Sequence, residues 1–260
     1  MDEAYAGIDV AFAKRKRLPV VVCRWHGDVL EPLPLRQARA KPPAGEGNVR
    51  TLTKTVVAHF AEQTVEYLRA VESEFEVRIR RVAIDAPSDP RRAGTARRQA
   101  ECELDRRRIS CITTPTATEF EAICERARAH LADGGAESCL PGANQLWMLV
   151  GFSLFRTLRH HWECIEVFPH AIAVALGAHA IHKSRADGLL AQISAAAKHC
   201  GWPRCAALRE LGSIGYGSSH DRLDAYLGAW VASLGETARE PFGEPPTDVI
   251  WVPRLRERFP

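Results

Sequence analysis

At 260 residues, 46% of them hydrophobic, the chain can bury a sizeable core in one large domain or two small ones. Its formal charge of +3, from 35 Lys and Arg against 32 Asp and Glu, carries no nucleic-acid signal by its sum, so the placement of charge has to decide. The opening Met1-Asp2-Glu3 is acidic where a secretory signal is basic, and no apolar run reaches the ~18 residues of a membrane helix. None of the eight cysteines forms a Cys-x-x-Cys pair, which argues against a zinc ribbon or thioredoxin-like motif. A reduced, cytoplasmic protein without a membrane partner is expected.

Residues 4–13 read as a first strand interrupted by Asp9. Lys14-Arg15-Lys16-Arg17 follows, and residues 18–25 give a β-branched second strand. His26-Gly27-Asp28 is turn chemistry, and residues 29–35 form a third strand, so an antiparallel meander is expected. Residues 36–50 are a loop. Val56, Val57, Phe60, Thr64, Leu68 and Val71 then recur at helical spacing over residues 53–74. A strand over 77–85 ends in Ala86-Pro87. An arginine-rich helix (93–107), a short strand (109–113), a helix (116–131) and a strongly apolar helix (144–160) come next. The remaining elements are a strand at 164–168 stopped by Pro169, helices over 184–199 and 220–234, and a terminal strand or extended tail at 250–253. This order predicts an α/β protein whose mixed sheet joins a three-strand meander to parallel strands, with helices on both faces. One domain over 1–260 is expected, with loop insertions near 36–50 and 132–143.

Three of the predicted core strands each carry one carboxylate: Asp9, Asp85 and Glu166. A buried acid needs a partner; one such acid is ordinary, three in the same setting are a pattern. Asp221 and Asp224 open the last helix three residues apart, on one face. Asp221 also fits a plain helix-start acid. Asp224 lies one turn further in, beside Leu223, Leu227 and Trp230. Converging carboxylates repel unless a cation neutralises them, and hard oxygen donors suit Mg2+ or Mn2+. Two such ions about 3.5–4 Å apart activate water and stabilise the leaving oxygen in phosphoryl transfer. Asp9, Asp85, Asp224 and Glu166 are therefore the candidate catalytic residues, and Asp9, Asp85, Asp224 and Asp221 the candidate metal ligands.

These residues, in this order, resemble the ribonuclease H-like superfamily. More closely, the chain resembles the predicted-nuclease family called domain of unknown function 429. The matching pieces are Gly7-Ile8-Asp9, Ala83-Ile84-Asp85-Ala86-Pro87, Glu166-Val167-Phe168-Pro169, Lys183 with Arg185, Asp221-x-x-Asp224-Ala225 and Trp251-Val252-Pro253. The resemblance implies a ribonuclease H-like fold and a metal-dependent nuclease site at Asp9, Asp85 and Asp224, with Glu166 as a conditional member. The basic hairpin at 14–17 and the loop to Arg50 exceed the family pattern, which points to a specialised substrate face.

Basic residues follow each acidic strand. Lys14 and Lys16 come after Asp9, Arg98 after Asp85, and Lys183 and Arg185 after Glu166. These are the candidate substrate contacts, placed where phosphate would lie. Arg106 to Arg108 read as a solvated helix face paired with neighbouring acids. His170 and His220 stand beside proposed acids as proton shuttles or structural histidines. Residues 212–219 are glycine-rich, suited to a flap, and lack P-loop spacing. The leading expectation is a nuclease or related phosphodiester-cleaving enzyme acting on nucleic acid through carboxylate-held metal. Two alternatives stay open: a phosphotransferase or ATPase of the actin-like group, and a non-catalytic module binding nucleic acid or a protein partner.

Overall fold

The computed structural model describes residues 1–203 and 208–255. The chain runs β1 (Asp2–Asp9), β2 (Val20–His26), β3 (Val29–Pro32), α1 (Lys54–Phe75), β4 (Val77–Asp85), α2 (Gln99–Arg106), α3 (Ala117–Ala132), α4 (Ala143–Leu146), α5 (Met148–Leu158), β5 (Glu163–Glu166), α6 (Pro169–Ala175), α7 (Ala186–Cys200), α8 (Leu211–Ile214), α9 (Ser219–Ser233), β6 (Arg239–Glu244) and β7 (Asp248–Pro253). Gly27 and Asp28 alone separate the paired His26 and Val29, and Gly27 takes a positive φ of 59°. A turn that tight forces β2 and β3 to pair as antiparallel neighbours.

The main sheet has the order β3-β2-β1-β4-β5. The meander pairs are antiparallel, whereas β1–β4 and β4–β5 are parallel. This is the strand order and direction of the ribonuclease H-like fold. One face of the sheet, with Ile8, Val22, Val82 and Ile84, is covered by α1 and α5 through Phe60, Leu68, Leu154 and Phe155. The other, with Val21, Cys23, Ala83 and Ile165, is covered by α7 and α9 through Ile193, Leu223, Tyr226 and Trp230. Covering both faces explains the consecutive apolar residues Val82-Ala83-Ile84 in β4. Among the described residues, no helix is long and apolar enough to cross a membrane. Seven cysteines are free thiols; Cys205 lies outside the described residues.

Several elements differ from expectation for identifiable reasons. The apolar helix expected over 144–160 is split into α4 and α5. The Trp147 indole donates to the Asn144 carbonyl at 2.9 Å, the acceptor that the amide of residue 148 would use in an unbroken α-helix. The arginine-rich helix begins at Gln99 rather than near residue 93. Arg91 is instead held in a loop by the Thr114 carbonyl and Glu119. Residues 109–113 form no strand. The expected terminal strand is one half of a hairpin with β6, a strand hidden by Pro241 and Gly243, which weaken any strand signal. The glycine-rich stretch at 212–219 is partly the α8 turn, and Gly215 and Gly217 lie against Val20 and Pro19.

β1 and α9 pack backbone against backbone at Gly7. A Cβ added to Gly7 would overlap the Ala225 carbonyl oxygen and crowd the Ala229 amide, both backbone atoms of α9. A Cβ on Gly228 would meet only side chains and the Gly7 Cα, at 3.5 Å or more. Replacing Gly7 with Ala must therefore displace a helix, and overpacking of this kind costs about 1–3 kcal/mol. Gly228→Ala should be neutral or stabilising, since Ala favours a helix interior by about 1 kcal/mol. Denaturant unfolding of the two variants measures this contrast, and equal stabilities would refute it.

Candidate metal centre

Asp9 and Asp85 are the last residues of β1 and β4 and stand opposite each other in the parallel register. Paired residues of adjacent strands point to the same face, so both carboxylates rise on the α9 side. Asp224 comes down from α9, four residues before Gly228. Because Gly7 lets α9 lie directly on β1, the helix sets Asp224 over the two strand ends. One carboxylate oxygen from each of Asp9, Asp85 and Asp224 lies within 4.8 Å of the others.

The electrostatics are strained without a cation. Burial, and then the negative charge of Asp85, Asp224 and Asp221, hold the Asp9 carboxyl well above its ordinary range. Burial and Asp224 push Asp85 up to about 8. Asp224 is raised too, by burial, against the pull of Lys183. Lys183, in the loop between α6 and α7, donates to Asp224 Oδ2. Burial works against its charge, but Asp224, Asp85 and Asp9 together hold the ammonium above its usual value. The other Asp224 oxygen, Oδ1, is buried without a hydrogen-bond partner. A buried acceptor with nothing to accept is costly, and a cation held by all three acids would satisfy it. An all-oxygen donor set fits Mg2+ or Mn2+.

The other predicted residues fall elsewhere. Glu166 stands in register with Ile84, not Asp85, so the strand pleat turns it to the opposite face. There it accepts two 2.8 Å bonds from Arg98 and one of 2.9 Å from the Ser88 amide. Burial raises its carboxyl, and Arg98 and that amide hold it back. Arg98 is itself only 6% exposed, and its Nε reaches Asp248 at 3.1 Å. It is a structural clamp, with no face left for phosphate. Asp248, which sequence reasoning missed, also accepts from the Gln99 and Ala100 amides and so caps α2. Asp221 caps α9: its Oδ2 accepts from the Ser218 amide at 2.7 Å and its Oδ1 faces His220 at 3.2 Å. Its helix-start reading fits this geometry. Arg185 is exposed and pairs with Asp187. Lys14 and Lys16 are exposed in the loop after β1. His170 is exposed on α6, and burial, Lys183, His179 and His182 lower its pKa. Arg106 and Arg107 pair with Glu103, as a solvated helix face would.

A group not anticipated from sequence lies beside the centre. Arg36, Arg17 and Lys41 surround the Tyr216 ring at 4.5, 5.8 and 5.9 Å from its centroid. The next residue, Gly217, lies against Pro19 and Asp221, and the Pro19 carbonyl accepts from the Asp9 amide at 3.1 Å. The cations come from the loops after β1 and β3 and meet a tyrosine from the far end of the chain, so only the folded chain reveals their cluster.

Two predictions follow from these charges. Asp85 has a folded pKa of about 8 against an ordinary 3.8, so the folded state binds the extra proton between those values. Its contribution to stability is complete below the lower value and lost as pH rises through the upper one. Without divalent cation, the melting-temperature difference between wild type and Asp85→Asn should shift against wild type from about pH 5 to pH 8. Saturating Mn2+ should reverse that trend, because it binds the deprotonated acids. A difference independent of pH would contradict the assignment. Glu166→Gln, by contrast, breaks a buried ion pair and should cost about 3–5 kcal/mol while leaving Mn2+ affinity unchanged. Calorimetric Mn2+ titration separates these roles, and a large loss of affinity in Glu166→Gln would place it in the centre.

A family model described as protein of unknown function (DUF429) matches residues 7–247. No curated protein and no solved structure matches the chain. The matched span opens on Gly7 and contains all three converging acids, and the chain belongs to the DUF429 family.

Proposed function

We propose that this chain is a metal-dependent nuclease, cleaving phosphodiester bonds at the centre formed by Asp9, Asp85 and Asp224. The observation that carries the reading is the convergence of three carboxylates from two strand ends and a helix, with one buried oxygen of Asp224 lacking a partner. Mg2+ or Mn2+ held there would polarise a phosphoryl oxygen and lower the pKa of a bound water.

The chain's own residues supply the remainder. Asp9, Asp85 and Asp224 fix the position of charge at the end of the sheet. Lys183 keeps a protonated ammonium beside them, where a substrate phosphate would accept its hydrogen bonds. Arg17, Arg36 and Lys41 concentrate positive charge around Tyr216. Lys14 and Lys16, exposed in the same loop as Arg17, extend that basic edge. A polyanion lying from Lys183 across the centre to this edge would meet cations on both sides of the acids. One five-stranded mixed sheet is present among the described residues, whereas an actin-like phosphotransferase brings two such halves together. That difference favours the nuclease reading.

The test is incubation of the purified chain with single- and double-stranded DNA and RNA in Mg2+ or Mn2+. Cleavage is expected, and chelation or Asp9→Asn, Asp85→Asn or Asp224→Asn should reduce it to background. Asp9→Asn and Asp85→Asn should melt no lower than wild type in chelator, because each removes a repelling charge, whereas Asp224→Asn also loses the Lys183 ion pair and should melt lower. Cleavage surviving all three substitutions would sink the proposal, as would intact Mn2+ binding without cleavage of any nucleic acid.

A further inference from the structure

Asp85 belongs to two sites at once. Besides the acid cluster, it lines a cavity of about 330 Å³ whose other walls include Pro87, Ile112, Trp147, Met148, Phe168 and Ile250. Three of these keep part of their apolar surface accessible. Ile112 is 45% exposed, and Trp147 and Phe168 are only half-buried. The indole N–H of Trp147 is already spent on the Asn144 carbonyl, so this side chain offers the cavity only ring carbon. Apart from Asp85, the charged groups at the cavity are engaged internally. Arg98 is bound by Glu166 and Asp248, and Glu101 accepts from the Thr114 and Arg98 amides. An anionic group finds no free cation in these walls, whereas a flat neutral ring finds aromatic and aliphatic surface.

We infer that this cavity receives one nucleobase of the substrate, placing the phosphate attached to that nucleotide at the acid cluster. The inference rests on the nuclease reading and narrows it to a substrate class. Bases in a duplex are stacked and paired, so a base can enter only from a single strand or after leaving the helix. The cavity, at about 330 Å³, suits one ring system and not a base pair. The enzyme therefore acts at unpaired nucleotides, and the ring contacts come from the 109–112 segment, the α4–α5 break and the end of β5.

Calorimetric titration of the full chain with Mn2+ present compares adenosine 5′-monophosphate with ribose 5-phosphate, which lacks the base. Stacking on aromatic side chains predicts that the nucleotide binds about five-fold tighter or more. Ile112→Ser and, separately, Phe168→Ala remove apolar surface from the cavity and should erase that preference while Mn2+ affinity stays unchanged. Equal binding of the two probes to wild type overturns the inference, as does a preference that survives both substitutions. In parallel, an oligonucleotide single strand should be cut and its fully paired duplex resisted; indifference to pairing also overturns it. Base preference intact with no nucleic acid cleaved would instead retain the cavity assignment and reject the nuclease reading.

Discussion

Where β1 crosses under α9, backbone meets backbone. Gly7 has no side chain to separate them, and Ala225 and Ala229 present the helix backbone directly. The buried side chains on either side, Leu223, Tyr226, Leu227 and Trp230, hold the helix down. Burial of a large apolar side chain is worth about 1.5–3 kcal/mol each, enough to press three repelling acids together. The position of Asp224 is therefore set by packing one turn away, not by any attraction among the carboxylates. An added methyl at Gly7 would act on the centre without touching it.

The sheet imposes a second constraint through its pleat. Asp9 and Asp85 share a face because their strands are parallel and in register. Glu166 is offset by one position along the neighbouring strand, aligned with Ile84, and that single step sends it to the other face. The fold uses it there as one corner of a clamp. Glu166 holds Arg98, Arg98 holds Asp248, and Asp248 caps α2. The β6–β7 hairpin, α2 and β5 are thus tied together beside the centre, fixing the cavity wall that Asp85 closes.

These two constraints explain what could be read from the chain alone. Asp9 and Asp85 were legible because an acid interrupting an apolar strand is a local signal. Asp224 was legible because its neighbours on the helix face are apolar, and the mixed sheet of a meander beside parallel strands followed from the succession of strand and crossover signals. Glu166 carried the same local signal as Asp85, and only register tells them apart, a property of two strands and not of one. Arg98 likewise resembled a phosphate contact until its acidic partners, 68 and 150 residues away, were in view. The helix break at Trp147 depends on one indole choosing a carbonyl, which periodicity does not encode. The cations at Tyr216 come from segments brought together by the loop at 42–47, whose Pro43 and Gly45 bond to Leu18 and to Arg15 and Lys16.

The charge balance of the centre leads from packing to chemistry. Three carboxylates face one ammonium, that of Lys183. Fully ionised, they leave two negative charges in a largely buried site, where such an excess is expensive. Protons can relieve it, which is why the acids are held above their ordinary range. A divalent cation relieves it as well and also satisfies the orphaned Asp224 oxygen, which a shared proton does only in part. Proton and metal thus compete for the same oxygens, and rising pH favours the metal. Lys183 enters the competition on the side of the chain: its charge lowers the repulsion that a cation would remove, and so moderates how tightly one is held. Under the nuclease proposal, three ionised carboxylates, the Lys183 ammonium and one divalent cation would balance to zero, so the charge that meets an incoming phosphate would come from the flanking lysines and arginines.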